Sequence, residues 1–355
     1  MSRQNSATER LRFTTENDLV VIEHDYRVCT RCVLPESFPG IGFGANGVCS
    51  YCEDEDETLE YDREAVQAAF DRWVTPGRSE RSHDCLLLFS GGKDSSLALI
   101  RLVREHGLRV LAFTVDNGFL AGRTGENMRR VLDATGADHV MLRPSRKLMH
   151  GVYRTALSAD LGAETTKYST AACGSCIGLV LSAGLRTAEG YGIPLLAGGW
   201  TPGQFTTSAF VPAPFLRDVA RRNLDPITLA SPDLETGLDG WRASETGSPS
   251  GLVNPLYGEE YVEEQVLAEL ERHGWRAPED TDSCSTNCRL NGLLILDHLR
   301  RHGYHPYVYE IAHHVRLGGL TREEALHKLS RLRVRPAAVG AVAVELDVPA
   351  PVPSA

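Results

Sequence analysis

A run of small and charged residues at positions 90–95, Ser-Gly-Gly-Lys-Asp-Ser, has the composition of an anion-binding loop. It follows the apolar run 86–89, which has the length of a buried parallel strand. The two glycines allow a tight turn that exposes backbone N–H groups, and Lys93 adds a mobile point charge. The residues after Lys93 open a helix whose dipole favours an anion. The spacing is not that of a Walker A loop. We therefore predict a strand, a phosphate-binding loop and a helix, with these candidate ligands: Ser90, Gly91, Gly92, Lys93, Asp94, Ser95 and Ser96.

Two CxxC pairs near the N-terminus predict a structural metal site. Sixteen residues separate Cys29 and Cys32 from Cys49 and Cys52, a spacing typical of a four-thiolate zinc ribbon. The residues between them are rich in proline and glycine, as a small ribbon held by a metal requires. A redox dithiol would use one such pair and not a matched set.

A second group of cysteines is a candidate for metal or sulfur chemistry. Cys173 and Cys176 open a predicted helix, where the dipole favours thiolates. A third ligand would come from Cys288, at the start of an apolar helix, or from Cys284. Both together would supply four ligands and close a zinc site or a fully coordinated cluster. A redox pair and a second structural zinc are alternatives for Cys173 and Cys176.

The run 90–95 resembles the signature of the PP-loop ATP pyrophosphatases, SGGxDS, without a gap. The resemblance implies that the loop holds the pyrophosphate end of ATP while a substrate oxygen attacks the α-phosphate, giving an adenylated intermediate. Lys93 and Asp94 would be catalytic, and Asp94 would cap the helix or bind Mg²⁺. Val115 and Asp116, at the end of the next strand, would contact the adenosine. The alternative, that residues 116–118 only form a turn, stays open.

Different parts of the chain resemble two different branches of this superfamily. The CxxC pair at 173–176, with a distant third cysteine, resembles the iron–sulfur tRNA thiolases. That likeness implies a 4Fe–4S cluster on Cys173, Cys176 and Cys288, beside the nucleotide, with Cys173 and Cys176 taking part in catalysis. Residues 29–35, 47–49 and 52, and a tail that starts at the capping box of Thr321, resemble the N-acetyl sugar amidotransferases.

These likenesses give three functional hypotheses. The first is a sulfurtransferase that adenylates a carbonyl oxygen and replaces it with sulfur from a donor protein. The second is an amidotransferase that uses ammonia from a glutaminase partner on an N-acetyl sugar. The third is a non-catalytic scaffold that binds nucleotide or metal. The expected cofactors are ATP, Mg²⁺, Zn²⁺ and a 4Fe–4S cluster.

The alternation of apolar runs and helical patterns predicts an α/β fold with a doubly wound parallel sheet, an N-terminal zinc ribbon and a helical C-terminal region. Ligands of such sheets gather at the carboxyl ends of the strands. Four histidines, His302, His305, His313 and His314, have poor spacing for a metal and are expected to be structural or solvated. The predicted units are an extension (1–25), the ribbon (26–55), a helix and linker (56–83), the ATP domain (84–222), a mobile loop (223–252), the helical region (253–335) and a frayed tail (336–355).

The composition indicates which classes of substrate and which location are favoured. The 355 residues carry a formal charge of −10, which disfavours a broad face for a polyanion such as tRNA and favours a small-molecule or carrier-bound substrate. The sequence contains no long uncharged apolar run of the kind that predicts a membrane span. Its first residues are polar and lack the apolar segment of a secretory signal. We expect a cytoplasmic protein and leave a homodimer open.

Overall fold

A computed structural model describes residues 10–16, 19–53, 61–201, 204, 208–244 and 247–351 of the chain. The described residues form two sheets, one of six strands and one of three. The strands are β1 (Leu11–Glu16), β2 (Leu19–His24), β3 (Cys85–Leu88), β4 (Val110–Val115), β5 (Asp138–Leu142), β6 (Leu196–Ala197), β7 (Phe210–Pro212), β8 (Gly251–Val253) and β9 (Arg331–Arg333).

The large sheet has the order β5-β4-β3-β6-β8-β7, and all neighbours are parallel except β7 and β8. Its centre consists of β3 and β4, whose residues are all buried. Such strands are apolar throughout because helices cover both faces of a parallel sheet. The predicted α/β fold with a mainly parallel sheet is confirmed.

Side chains of β3 and β4 alternate between two apolar cores. Leu87 and Ala112 pack on one face, and Leu86 and Leu111 pack on the other. The helices are α1 (Ser50–Glu53), α2 (Arg63–Trp73), α3 (Lys93–Ile100), α4 (Thr124–Thr135), α5 (Arg146–Ser158), α6 (Ala163–Thr166), α7 (Ala171–Gly190), α8 (Ala213–Ala230), α9 (Glu235–Asp239), α10 (Glu263–Arg272), α11 (Asn291–His302), α12 (Val308–Arg316), α13 (Arg322–Ser330) and α14 (Pro336–Leu346).

The small sheet joins the two ends of the chain. β2 pairs with β1 and, on its other side, with β9, both antiparallel. The strand expected near residues 19–22 is present, whereas β1 and the pairing with β9 were not anticipated. The predicted capping box is confirmed at the start of α13, where the hydroxyl of Thr321 accepts from the N–H of Glu324 and the Glu324 carboxylate accepts from the Thr321 N–H.

Two predictions about the C-terminal half were wrong. The segment 223–252, expected to be a mobile loop, begins as the last part of α8, continues through α9 and reaches β8, so that only residues 245–246 lie outside the described residues. The tail, expected to fray, contains α14, which buries Val339, Val342 and Leu346 against α11 and α5. In both cases tertiary packing stabilises helices with weak local signals.

Among the described residues, one helix, α7, is long and apolar enough to cross a membrane by length and composition. Within its most apolar stretch, 67% of the residues are buried inside the protein. This is the position of a core helix, in contact with β3, β4 and α8.

Candidate active site

The run 90–95 lies at the carboxyl end of β3 and leads directly into α3, as the sequence predicts. Gly91 has φ +73°, a conformation that favours glycine, and its carbonyl accepts a 3.1 Å hydrogen bond from the buried indole N–H of Trp275. Two serines at the ends of the run meet: the Ser95 hydroxyl lies 3.1 Å from that of Ser90 and accepts the Ser90 N–H at 3.2 Å. The loop is therefore a tight turn, closed by the contact between Ser90 and Ser95 and stabilised by the hydrogen bond from Trp275.

The start of α3 also packs against the backbone of the neighbouring strand. A Cβ atom at Gly199, just after β6, would lie 2.7 Å from the backbone nitrogen and the Cα of Ser95. Only glycine permits this approach, which brings the ends of β3 and β6 together at one crevice.

Lys93 faces acidic groups. Its ammonium donates to both oxygens of Asp94, at 2.9 and 3.0 Å, and to the hydroxyl of Tyr261 at 3.0 Å, and Glu263 lies 3.7 Å away. Burial alone would lower the pKa of Lys93, but the neighbouring Asp94, Tyr261 and Glu263 outweigh it, so the pKa is raised. Lys93 is charged at any physiological pH, and its charge is shared with Asp94.

The segment 284–288 lies on the phosphate loop. The Thr286 hydroxyl accepts the backbone N–H of Lys93 at 3.0 Å, and a Cβ atom at Gly92 would lie 3.0 Å from the same hydroxyl. The backbone of Asn287 accepts the N–H of Ala121 at 2.9 Å. The segment thus connects the loop to the chain that follows β4.

Two cysteines of the second group lie next to one asparagine, and a third lies next to another. The amide nitrogen of Asn117 lies 3.9 Å from the sulfur of Cys176 and 3.6 Å from that of Cys288. The Cys173 sulfur lies 3.6 Å from the side-chain oxygen of Asn291, at the start of α11. The fold therefore brings Cys288 next to Cys176, although 111 residues separate them along the chain.

Asp282 organises the segment that carries Cys284 and Cys288. One oxygen of its carboxylate accepts the N–H groups of Cys284 and Ser285 and the amide of Asn291. The other oxygen is buried and has no partner among the described residues. Burial raises the pKa of Asp282 to about 6.

The four thiols are half-buried, and desolvation is the largest influence on the pKa of each. Burial raises the pKa of Cys173 to about 12, that of Cys284 to about 12 and that of Cys288 to about 11, and it also raises the pKa of Cys176. The expectation that the α7 dipole would favour thiolates at Cys173 and Cys176 is therefore outweighed by desolvation. All nine cysteines are free of disulfides.

A cavity of about 400 Å³ connects the phosphate loop to these cysteines. Its far wall carries aromatic and polar groups, including Trp200 and Glu310. The Glu310 carboxylate accepts from the Gln204 amide at 3.0 Å, and burial raises its pKa. The candidate site residues predicted from the sequence that line the cavity are Ser90, Gly92, Lys93, Asp94, Ser95, Val115, Cys173, Cys176, Cys284 and Cys288.

Three of the predicted nucleotide ligands lie around this cavity and not on its wall. Gly91 is turned towards Trp275, and Ser96 is fully buried. Asp116 forms a turn, because its carboxylate accepts the N–H of Gly118 at 2.9 Å and lies 3.3 Å from the guanidinium of Arg143.

The N-terminal ribbon is a separate site. The sulfurs of Cys29, Cys32, Cys49 and Cys52 are buried and all lie within 4.8 Å of one another. Pairs 29/52 and 32/49 are 3.8 and 3.7 Å apart. A tetrahedron with metal–sulfur bonds of about 2.3 Å has sulfurs about 3.8 Å apart, so the four thiols fit a zinc-type ion. Backbone N–H groups of Arg31, Cys32 and Cys49 point at the Cys29 sulfur and would stabilise its thiolate.

Several residues of the site carry no local sequence signal. Asn117 and Thr286 act through contacts between distant parts of the chain, as do Trp275, Tyr261 and Glu310. Two hints were available: Thr286 lies between two cysteines, and Asn117 closely follows an apolar strand whose carboxyl end is expected to face the ligand.

Comparisons with known proteins add the following. No family model matches the chain. An uncharacterised protein of Methanocaldococcus jannaschii is 25% identical over 252 residues, which cover 71% of this chain and 74% of that protein.

Two solved structures resemble the fold. The NMN synthetase of Francisella tularensis has a TM-score of 0.35 and 12% identity, covering 61% of this chain and 74% of that one. The U34-tRNA thiolase NcsA of Methanococcus maripaludis, solved with its 4Fe–4S cluster, has a TM-score of 0.34 and 14% identity, covering 71% and 75%. Overall similarity at this level assigns no function, so the site is interpreted from the residues of this chain.

Proposed function

We propose that this chain is an ATP-dependent enzyme of the PP-loop class that forms AMP and pyrophosphate and replaces a substrate oxygen with sulfur. The observation that carries the proposal is the shared cavity, which is lined both by residues of the SGGKDS loop and by Cys173, Cys176 and Cys288. A nucleotide and a sulfur-carrying group would meet there without any large movement of the fold.

In the first half-reaction, the loop and the start of α3 bind the β- and γ-phosphates through backbone N–H groups and the charge of Lys93. Asp94, whose two oxygens accept from Lys93 here, would turn one of them to a Mg²⁺ ion at the phosphates. A carbonyl oxygen of the acceptor attacks the α-phosphate, and pyrophosphate leaves with the electron pair of the broken P–O bond. The product is an adenylated acceptor with AMP as a good leaving group.

In the second half-reaction, sulfide attacks the activated carbon, and AMP leaves with the acceptor oxygen. Cys173, Cys176 and Cys288 would hold a 4Fe–4S cluster, which would supply one iron without a protein ligand as a site for sulfide. Among the described residues, the compact four-thiol group is that of the ribbon, and Cys173, Cys176 and Cys288 are not part of such a group. A cluster is compatible with this, because each of its cysteines binds a different iron and lies further from the others than in a mononuclear zinc site. Cys288 is preferred to Cys284 because it shares Asn117 with Cys176.

A second candidate function is the amidotransferase, in which ammonia from a glutaminase partner attacks the same adenylated carbonyl of an N-acetyl sugar. The fit of the four ribbon thiols to a zinc-type ion favours it, since the ribbon carries that resemblance. Under either function we propose a small-molecule or carrier-bound acceptor, a cytoplasmic location and a partner protein that donates sulfur or ammonia.

The test is metal analysis of the chain purified without oxygen, followed by product analysis. A sulfurtransferase is expected to contain four irons and one zinc, and Cys173→Ser and Cys288→Ser are expected to lose iron and keep zinc. Cys85→Ala, at a cysteine inside β3 away from both groups, is the matched control. A colourless protein with zinc alone would reject the sulfurtransferase and leave the amidotransferase.

Product analysis then uses ATP with two acceptor sources, a nucleic-acid-free metabolite extract and total tRNA. AMP and pyrophosphate are expected with the extract. Release of ADP, or turnover only with tRNA, would contradict the proposed class or the proposed acceptor.

A further inference from the structure

A second cavity, of about 350 Å³, shares no lining residue with the first and lies where the small sheet, the ribbon and the C-terminal helices meet. Its walls are mainly apolar side chains, such as Ile22 and Tyr26 from the N-terminal hairpin region and Leu299, Val308 and Leu326 from helices α11 to α13. Exposed His24 and half-buried Ser330 also line it, so it has a route to solvent. Its size and lining are those of a small-molecule site.

One polar group in this cavity lacks a partner. His305 is 4% exposed, and its Nδ1 accepts the backbone N–H of Tyr307 at 3.2 Å. An imidazole that accepts at Nδ1 in its neutral form carries its proton on Nε2. That Nε2 is buried and has no hydrogen-bond partner among the described residues. An unpaired buried donor costs free energy, so the site favours an oxygen acceptor.

A second group supplies charge. The guanidinium of Arg322, which also lines the cavity, donates to the carbonyls of Cys29 and Cys32 at 3.0 to 3.1 Å. None of the described carboxylates pairs with it. The apolar cavity is therefore lined by one neutral donor and by one cation that has no carboxylate partner among the described residues.

We propose that this cavity binds a small apolar carboxylate, with the apolar body against Ile22 and Leu326 and the carboxylate at His305 and Arg322. A molecule bound there touches the hairpin, the ribbon and helices α11 to α13 at once. It would stabilise the packing of these parts, because a ligand that binds only the folded state raises stability. The site is independent of the proposed reaction.

The probe for the test is 2-naphthoate, a fluorescent apolar carboxylate, titrated into the full chain. Saturable one-to-one binding is expected, together with a rise in melting temperature. His305→Phe keeps a ring of similar size and removes the donor, and it is expected to weaken binding about tenfold or more, as for a hydrogen bond to a charged group. Leu326→Trp fills the cavity and is expected to abolish binding. His327→Phe, at an exposed position of α13, is the matched control and is expected to bind like the native chain.

The neutral ketone 2-acetonaphthone has nearly the same shape and tests the role of charge. It is expected to bind at least tenfold more weakly than 2-naphthoate. Equal binding of the two probes, no binding to the native chain, or unchanged binding in a folded His305→Phe or Leu326→Trp variant would overturn the proposal. Retention of zinc by each variant shows that the ribbon is intact.

Discussion

Thr286 occupies the phosphate loop in a way that predicts the effect of its removal. Its hydroxyl accepts the Lys93 N–H at the start of α3, which is one of the donors that a phosphate needs. Under the proposed function, the oxygen of Thr286 stands where a phosphate oxygen would bind, and the nucleotide would have to displace it. Thr286→Val keeps the branched shape and removes this acceptor.

The size of the effect follows from the hydrogen bond that is lost. A hydrogen bond of this kind contributes about 0.5–1.5 kcal/mol net, and about 1.4 kcal/mol corresponds to a factor of ten. Thr286→Val is therefore expected to raise the affinity for nucleotide by roughly two- to tenfold. Thr286→Ser keeps the hydroxyl and is expected to leave the affinity close to that of the native chain.

The assay is calorimetric titration with a non-hydrolysable ATP analogue and Mg²⁺, repeated with pyrophosphate alone. Because the Thr286 hydroxyl competes with the phosphates for the Lys93 N–H, the affinities for both probes are expected to rise by a similar factor. An unchanged or lower affinity in Thr286→Val, with the fold intact, would show that Thr286 stays on the loop and helps to hold the nucleotide, and would refute the argument.

Three further predictions follow from the geometry. Cys32→Ser removes one of the four ribbon ligands and is expected to lower the zinc content to near zero and the melting temperature clearly, as read by metal analysis and calorimetry, whereas Cys85→Ala keeps its zinc. Gly199→Ala places a Cβ atom 2.7 Å from the backbone of Ser95 and is expected to weaken nucleotide binding by more than tenfold; affinity within twofold of native would contradict the close approach. Burial raises the pKa of Asp297 to about 6, above the unfolded value near 3.8, so the folded chain holds a proton that the unfolded chain releases. Stability from this group is present below pH about 4 and is lost as the pH rises towards 6, and Asp297→Asn is expected to flatten that part of the denaturation-versus-pH curve.

Features that depend on neighbouring residues were predictable. The phosphate loop needs two glycines, small hydroxyl residues and a helix start within one short run, and β3, the loop and α3 appear where the pattern places them. The ribbon is similar, because the spacing of Cys29, Cys32, Cys49 and Cys52 brings four sulfurs together through two local turns. The capping box at Thr321 is a third case.

The helices within 223–252 and in the tail were not predictable in this way, unlike the apolar helix after Cys288 and the helix that begins at the capping box. The expected loop at 223–252 is rich in residues that break local patterns, and α14 has an alanine- and valine-rich sequence that suggests fraying in isolation. Both are helical because neighbours bury them: Val342 and Leu346 have almost no exposed surface. Burial of apolar area stabilises a helix more than its own propensity does.

The sequence by itself determined the strand, loop and helix at 86–100 and the four-cysteine ribbon, because each is a local pattern of residue types. Only the tertiary structure placed Thr286 on Lys93, Cys288 beside Cys176 at Asn117, and an unpaired His305 in a second cavity. The physical reason is the distance along the chain. Lys93 and Thr286 are 193 positions apart, and no periodicity in either segment encodes their contact; it arises when both segments pack at the carboxyl edge of the same sheet.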